Sequence, residues 1–402
     1  MSAFAAVTTG KGTGAIAVIQ VFGDSAETII KKIFSPAGKA PAVFKPGKIL
    51  LGTISNGAET IDQVTIGCEG PGNFAINCHG NPLIVADIMQ LLQSNGATLL
   101  TAEELLTKIF SIEKPSNTIA LEAKLTQLQA KTIQGTKILV NQVDAGLTKK
   151  TEEWLQNINK ISLKQIKAGA EQILKNTQTA KLIIFGCTAA IAGPPNTGKS
   201  TLLNFLAGRQ KAIVADIKGT TRDWVSARCQ IGPLLVELID TAGLDEKLTA
   251  ASEDTIEKAS QQKSVEILDK ADLILLVLDN NQTAEQLDEK LLEKIADKKV
   301  LTVLNKYDLP TRFDADKLPQ ILANTVLSGM AYAIKISAKL GTGIENLLKK
   351  IQQAYGVTDF DLKTAVCFTP RQENLLKQLK KTDSKQQALS IITELLNGRF
   401  TL

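Results

Sequence analysis

The sequence predicts a multidomain protein with α+β and α/β parts, on three observations. Residues 181–357 alternate short apolar runs with helical stretches, the pattern of a mostly parallel sheet covered on both faces. Residues 1–105 mix β-rich runs with one clear helix, an α+β pattern. Residues 106–180 and 358–402 read as helix, on either side of the α/β part. A chain of 402 residues has room for two or three such domains.

In the first segment, residues 15–19, 49–54 and 63–67 are apolar runs of strand length. Residues 83–94 have helical character, and Gly96 supplies a stop. A breaker cluster at 113–117 precedes stretches rich in Lys, Gln, Leu and Ile. There Leu121, Leu125, Leu128 and Ile133 fall near helical spacing, as do Ile158, Ile161, Ile166 and Ile173; both stripes read as core. The α/β part offers strands at 188–192, 235–239, 273–278, 300–304 and 333–336. Helices at 373–380 and 386–396 close the chain.

Composition excludes several function classes. The net charge is +5 with the charges interspersed, which reads as an ordinary solvated surface. Aromatics are only 4%, against a stacking platform for single-stranded nucleic acid. The five cysteines are scattered without a CxxC, as reduced thiols rather than a disulfide frame or zinc site. His79 is the single histidine, so no His pair exists within one chain. No run of eighteen apolar residues occurs, and the start lacks a charged stretch before its apolar run. A protein of the cytoplasm, without a membrane span, is expected.

Residues Gly193-Pro194-Pro195-Asn196-Thr197-Gly198-Lys199-Ser200 fit GxxxxGK[ST], between a predicted strand and a helix that opens at Thr201. Such a loop turns backbone N–H groups towards phosphates, and the helix N-terminus adds partial positive charge. Lys199 can reach the β- and γ-phosphates, and the Ser200 hydroxyl can ligate Mg²⁺. Asp240-Thr241-Ala242-Gly243 follows the second strand; its carboxylate suits the metal's water shell and its glycine amide the γ-phosphate. Asn305-Lys306-Tyr307-Asp308 follows the fourth. The Asp308 carboxylate matches the guanine N1–H and exocyclic amine, a donor pair that adenine lacks. Ser337-Ala338-Lys339 follows the fifth and can support the base through a backbone amide. Four motifs in this order, each at a strand's C-terminal end, predict a P-loop G domain that binds and hydrolyses GTP.

These runs, with Ala212-Ile213-Val214-Ala215-Asp216-Ile217-Lys218-Gly219-Thr220-Thr221-Arg222-Asp223, resemble the MnmE (TrmE) tRNA-modification GTPases. Gly14–Gly23 is similar to that family's GAIAVIRLSG segment, and Ile76–Pro82 to its CHGGP segment. The resemblance implies an N-terminal folate-binding-like dimerisation domain at 1–105, helical parts at 106–180 and 358–402, and a TrmE-type G domain at 181–357. It implies a homodimer, an FAD-dependent MnmG-like partner subunit, tRNA as substrate, and a folate of the 5-formyl-tetrahydrofolate type. It also implies potassium-assisted hydrolysis, with K⁺ held by the Asn196 side chain and backbone carbonyls around Ala215, Ile217 and Thr220, and Thr221 beside Mg²⁺.

The match also has gaps. Where the family has a water-orienting Glu, an ungapped count back from Ala271-Asp272 gives Gln262, with Glu257 five residues earlier. Gln20 stands for an Arg, and the segment before Cys78 lacks a tyrosine. The family ends in FCIGK, whereas no cysteine follows Cys367 in this sequence. Two expectations follow: a wobble-uridine modification GTPase, or a nucleotide-gated switch that has lost folate-dependent chemistry.

Overall fold

Alternating burial in the N-terminal segment marks a sheet covered mainly on one face. The computed structural model describes residues 2–10, 12–38, 42–57, 59–113, 117–209, 226–241, 266–287, 289–296, 298–318 and 333–398. One compact unit lies within 1–116 and a second within 117–399.

The first unit runs β1 (Ala3–Val7), β2 (Ile16–Phe22), α1 (Ala26–Ile33), β3 (Phe34–Pro36), β4 (Ile49–Asn56), β5 (Glu59–Gly70), β6 (Asn73–His79), α2 (Pro82–Ser94), β7 (Ala97–Leu99) and α3 (Ala102–Glu113). The sheet order is β3-β4-β5-β6-β2-β1-β7, antiparallel except where β1 meets β7. On β5, Asp62, Val64, Ile66 and Cys68 are buried at every second position, the period of a half-covered strand. That face packs with Ile30 and Ile33 of α1 and Leu92 of α2. Leu105 and Ile109 of α3 cover Ala6 and Phe22 on the other face. Helix α2 starts where Asn81 caps the Leu83 N–H with Pro82 next in line, and the chain leaves it through Gly96 at φ +99°.

The second unit contains α4 (Thr118–Gln127), α5 (Ile133–Asp144), α6 (Leu147–Gln156), α7 (Leu163–Phe185), β8 (Cys187–Ala192), α8 (Lys199–Arg209), β9 (Ser226–Ile231), β10 (Leu234–Asp240), β11 (Leu273–Asp279), α9 (Glu289–Ile295), β12 (Val300–Asn305), β13 (Ile334–Lys335), α10 (Ile344–Tyr355), α11 (Pro370–Lys381) and α12 (Lys385–Asn397). Its sheet order is β13-β12-β11-β8-β10-β9, parallel except for edge strand β9. Every residue of β11 and β12 is buried, as strands covered on both faces require.

The bundle helices have legible starts. Asn117, Thr132, Ser162, Thr369 and Ser384 each accept a backbone N–H at a helix N-terminus, and Ser162 forms a capping box with Gln165. One predicted stripe is corrected. Thr132 starts a new helix, so the stripe from Leu121 breaks after Leu125; Leu128 and Ile133 are 49% and 73% exposed. The second stripe holds as core: Ile166 and Ile173 are buried, and Ile158 and Ile161, in the turn before α7, pack half-buried against them.

One residue, Gly186 at φ +77°, separates α7 from β8; a Cβ there would sit 2.8 Å from the Leu235 carbonyl. After α10 the chain returns to the bundle, where the Cys367 N–H donates to Thr177 Oγ1 on α7. Between bundle helices, buried Glu122 accepts two bonds from the Arg371 guanidinium, one from Thr369 Oγ1 and one from Gln372 Nε2. Arg371 also donates to the carbonyls of Glu394 and Leu395.

Candidate nucleotide site

The loop from β8 to α8 has backbone demands that its sequence meets. Gly193 lies at φ +145°, and a Cβ there would collide with the Val277 carbonyl. Gly198 lies at φ +91°, where a Cβ would collide with Asn305 Nδ2. Asn196 takes φ +60°, a left-handed conformation that Asn tolerates better than most side chains. Thr197 Oγ1 donates to the Pro194 carbonyl at 3.0 Å. Lys199 Nζ donates to the carbonyls of Gly193 and Pro194 at 2.9 and 2.7 Å, which holds the ammonium over the loop.

Thr201 lies in the first turn of α8. Ser200 Oγ donates to Asp240 Oδ2 at 2.5 Å. Asp240 ends β10 and is 1% exposed. A hydroxyl and a carboxylate are hard oxygen donors of the kind Mg²⁺ takes alongside phosphate oxygens, so this pair fits that ion. Thr241 tethers the same edge, its Oγ1 donating to the Ile191 carbonyl at 3.0 Å.

Asn305 turns out to be a brace. Its Nδ2 donates to the Thr197 carbonyl at 2.8 Å, and its Oδ1 accepts the Ala338 N–H at 2.9 Å. One amide thus ties the phosphate loop, the end of β12 and the Ser337–Lys339 turn together. Lys306, at φ +60°, pairs with Asp279 Oδ2 at 2.7 Å. Asp279 went unnoticed in the sequence; its position at the end of β11, beside the Asn305 end of β12, is the signal that would have found it.

Asp308 is exposed and ready to accept hydrogen bonds. The Ser337 hydroxyl bond, with smaller help from Lys339 and Lys306, holds its carboxyl below the usual value of 3.8. The structure therefore sets the glycine-bearing loop with Lys199, the Ser200–Asp240 hydroxyl–carboxylate pair and the exposed Asp308 carboxylate at the C-terminal ends of the sheet strands. Ala215, Asp216, Ile217, Lys218, Gly219, Thr220, Thr221, Ala242, Gly243, Glu257 and Gln262 lie outside the described residues.

The motif residues in the first unit are arranged differently. Cys78 is buried, its thiol donating to the Ala17 carbonyl at 3.6 Å, and burial raises its pKa. Gln20 is also buried, its Nε2 donating to Glu69 Oε2 and Asn73 Oδ1 at 2.9 and 2.6 Å. His79 Nδ1 is 2.7 Å from Asp62 Oδ1. Of the three side chains only His79 is exposed.

Residues 3–111 match the family described as GTP-binding protein TrmE N-terminus, and residues 188–306 that described as 50S ribosome-binding GTPase. The tRNA modification GTPase MnmE of Clostridioides difficile strain 630 is 30% identical over 381 residues, covering 87% of this chain and 80% of that protein. Its counterpart in Desulforamulus reducens strain MI-1 is 32% identical over 383 residues, covering 86% and 80%. Among solved structures, the G domain of the T. maritima FeoB iron transporter aligns at 27% identity with a TM-score of 0.31, covering 42% of this chain and 98% of that one. That score is too low to carry weight. Identity of 30% and more along most of the sequence does carry it: the chain is a GTP-hydrolysing member of the MnmE family.

Proposed function

We propose that this protein couples GTP hydrolysis to modification of the wobble uridine of tRNA. The observation that carries the nucleotide half is the Asn305 amide bridging Thr197 and Ala338, which aligns phosphate and base recognition in one frame. The tRNA half rests on the extent of similarity to tRNA modification GTPases.

On this reading Asn196, Thr197, Gly198, Lys199, Ser200 and Thr201 hold the phosphates, and Asp308 with the Ser337–Lys339 turn holds guanine. Mg²⁺ belongs with Ser200 and Thr221, beside Asp240, where it neutralises phosphate charge. K⁺ belongs with Asn196 and the carbonyls of Ala215, Ile217 and Thr220, and supplies positive charge near the β–γ bridge. Lys199 stabilises charge on the β- and γ-phosphates, and Gln262 orients the attacking water. The working assembly is a cytoplasmic homodimer with an FAD-dependent, MnmG-like subunit.

Mass spectrometry of wobble uridines, in tRNA from cells with and without the gene, tests this. Loss of a modified uridine with the gene supports it, and identical nucleosides would sink it. The second reading, a GTP-driven switch without folate chemistry, is favoured by one feature. Gln20, at the position of the family's Arg, spends its amide on Glu69 and Asn73.

A further inference from the structure

The positive surplus of this chain is confined to one part of it. Segments 117–185 and 357–398, which form the helical bundle, hold sixteen Lys and Arg against ten Asp and Glu. Residues 1–116 hold eight against nine, and 186–356 hold twenty-one against twenty-two. The overall +5 is therefore a property of the bundle.

Within the bundle the fold gathers the charge further. Lys385 Nζ, in the first turn of α12, donates to the Asn159 carbonyl in the turn before α7, at 3.1 Å. Lys167 of α7 lies 3.9 Å from Asp383 in the turn between α11 and α12, and Lys380 of α11 is 2.8 Å from Glu171 of α7. These contacts bring segments 157–171 and 377–391 to one corner, with seven lysines and two carboxylates between them. Both carboxylates are engaged by Lys167 and Lys380. Lys160, Lys164 and Lys381 are exposed, and no carboxylate pairs with them among the described residues. The first turns of α7 and α12 open here without an acidic residue, so their N-terminal partial charge adds to the lysines. Beside Lys381 runs an open groove whose walls include Gln387 and Ser390, exposed side chains able to bond phosphate and ribose oxygens.

The corner is remote from the nucleotide. Helix α7 has 23 residues, which spans about 35 Å, and it is the far end of α7 that feeds β8 and the phosphate loop. Neither segment contains an aromatic residue, so the chemistry is that of point charges against a phosphate backbone rather than base stacking.

We propose that this corner docks the sugar–phosphate backbone of tRNA, independently of the GTP site. The proposal rests on the tRNA reading above and assigns that partner a surface. The test compares binding of an unmodified tRNA transcript to the full-length protein and to a Lys160→Ala, Lys164→Ala, Lys381→Ala variant, across a salt series. GTP hydrolysis without RNA serves as the check on folding. The expected result is at least about tenfold weaker binding, with a slope of log K against log salt shallower by about two, and unchanged basal hydrolysis. A control variant, Lys294→Ala, Lys349→Ala, Lys350→Ala, keeps both affinity and slope. Equal binding by the two triple variants overturns the corner while leaving the tRNA reading intact. A wild-type protein that fails to bind the transcript at low salt overturns both. Loss of binding to anionic lipid vesicles, with tRNA binding untouched, also overturns it and assigns the surface to a membrane.

Discussion

Asn305 donates to the carbonyl of Thr197 across 2.8 Å, so the residue that opens the base-recognition motif also supports the phosphate loop. Asn305→Ala would leave that carbonyl and the Ala338 N–H without their partner, and both residues are buried. Unpaired buried groups of this kind cost about 1–3 kcal/mol. Fluorescent GTP should bind about ten- to a hundredfold more weakly to the variant, since each 1.4 kcal/mol is about tenfold. Wild-type affinity would show that the brace is dispensable.

On the proposed reading Lys199 holds phosphate and Asp308 holds the base, so two variants separate the two roles. Lys199→Ala should lose affinity for GTP and GDP alike. Asp308→Asn should lose preference for guanine, because an amide no longer offers two acceptors to the N1–H and exocyclic amine. It should gain affinity for xanthosine triphosphate, whose ring carbonyl accepts from the new amide. Competition binding reads both, and unchanged GTP binding in the two variants would contradict the site.

With Asp308 as the proposed base-reading group, its carboxyl would set a pH limit on guanine preference. Its pKa is lowered, chiefly by the Ser337 hydroxyl, so the ionised form persists as pH falls through 3.8 and is lost only below that. Guanine preference should therefore hold down to 3.8, provided the fold survives. Ser337→Ala should move the loss of preference upward in pH. A binding profile identical to wild type would show that the hydroxyl does not act on Asp308.

Glu122 and Arg371 form a buried pair, the Glu122 side chain 1% exposed. Removing one partner strands the other, a loss of about 3–5 kcal/mol. Glu122→Ala should show it in urea denaturation. Glu122→Leu with Arg371→Met should recover much of the loss, since neither charge is then left unpaired. A single variant as stable as wild type would contradict the pair's role.

Burial pushes the thiols of Cys187 and Cys229 up to about 12. Iodoacetamide at about pH 8 should leave both unmodified in the folded protein and label them after denaturation, because only the thiolate reacts. Rapid labelling of native protein would show that these cysteines open to solvent.

Much of this molecule could be read directly from its residues. The strands 188–192, 235–239, 273–278 and 300–304 were legible because a parallel strand covered on both faces is a continuous apolar run. Strand β9 was not, since Ser226 to Ile231 is an edge whose outward residues are polar. Strand β5 extends to Glu59 and Gly70, well beyond its apolar centre, for the same reason. Motif spacing located Lys199, Ser200, Asp240 and Asp308. It could not reveal Asn305 as a brace or Asp279 as the partner of Lys306, because both depend on neighbouring strands far apart in sequence. The interspersed lysines read as an ordinary surface until folding brought segments 157–171 and 377–391 together.

The proposed enzyme is a guanine-specific GTPase assisted by potassium. Steady-state phosphate release should be measured with GTP and with ATP, in potassium and in sodium, for wild type and Lys199→Ala. The account predicts GTP hydrolysis that potassium stimulates, no turnover of ATP, and loss of activity in the variant. Equal rates in the two salts would remove the Asn196 potassium site, and hydrolysis of ATP as fast as GTP would contradict the account itself.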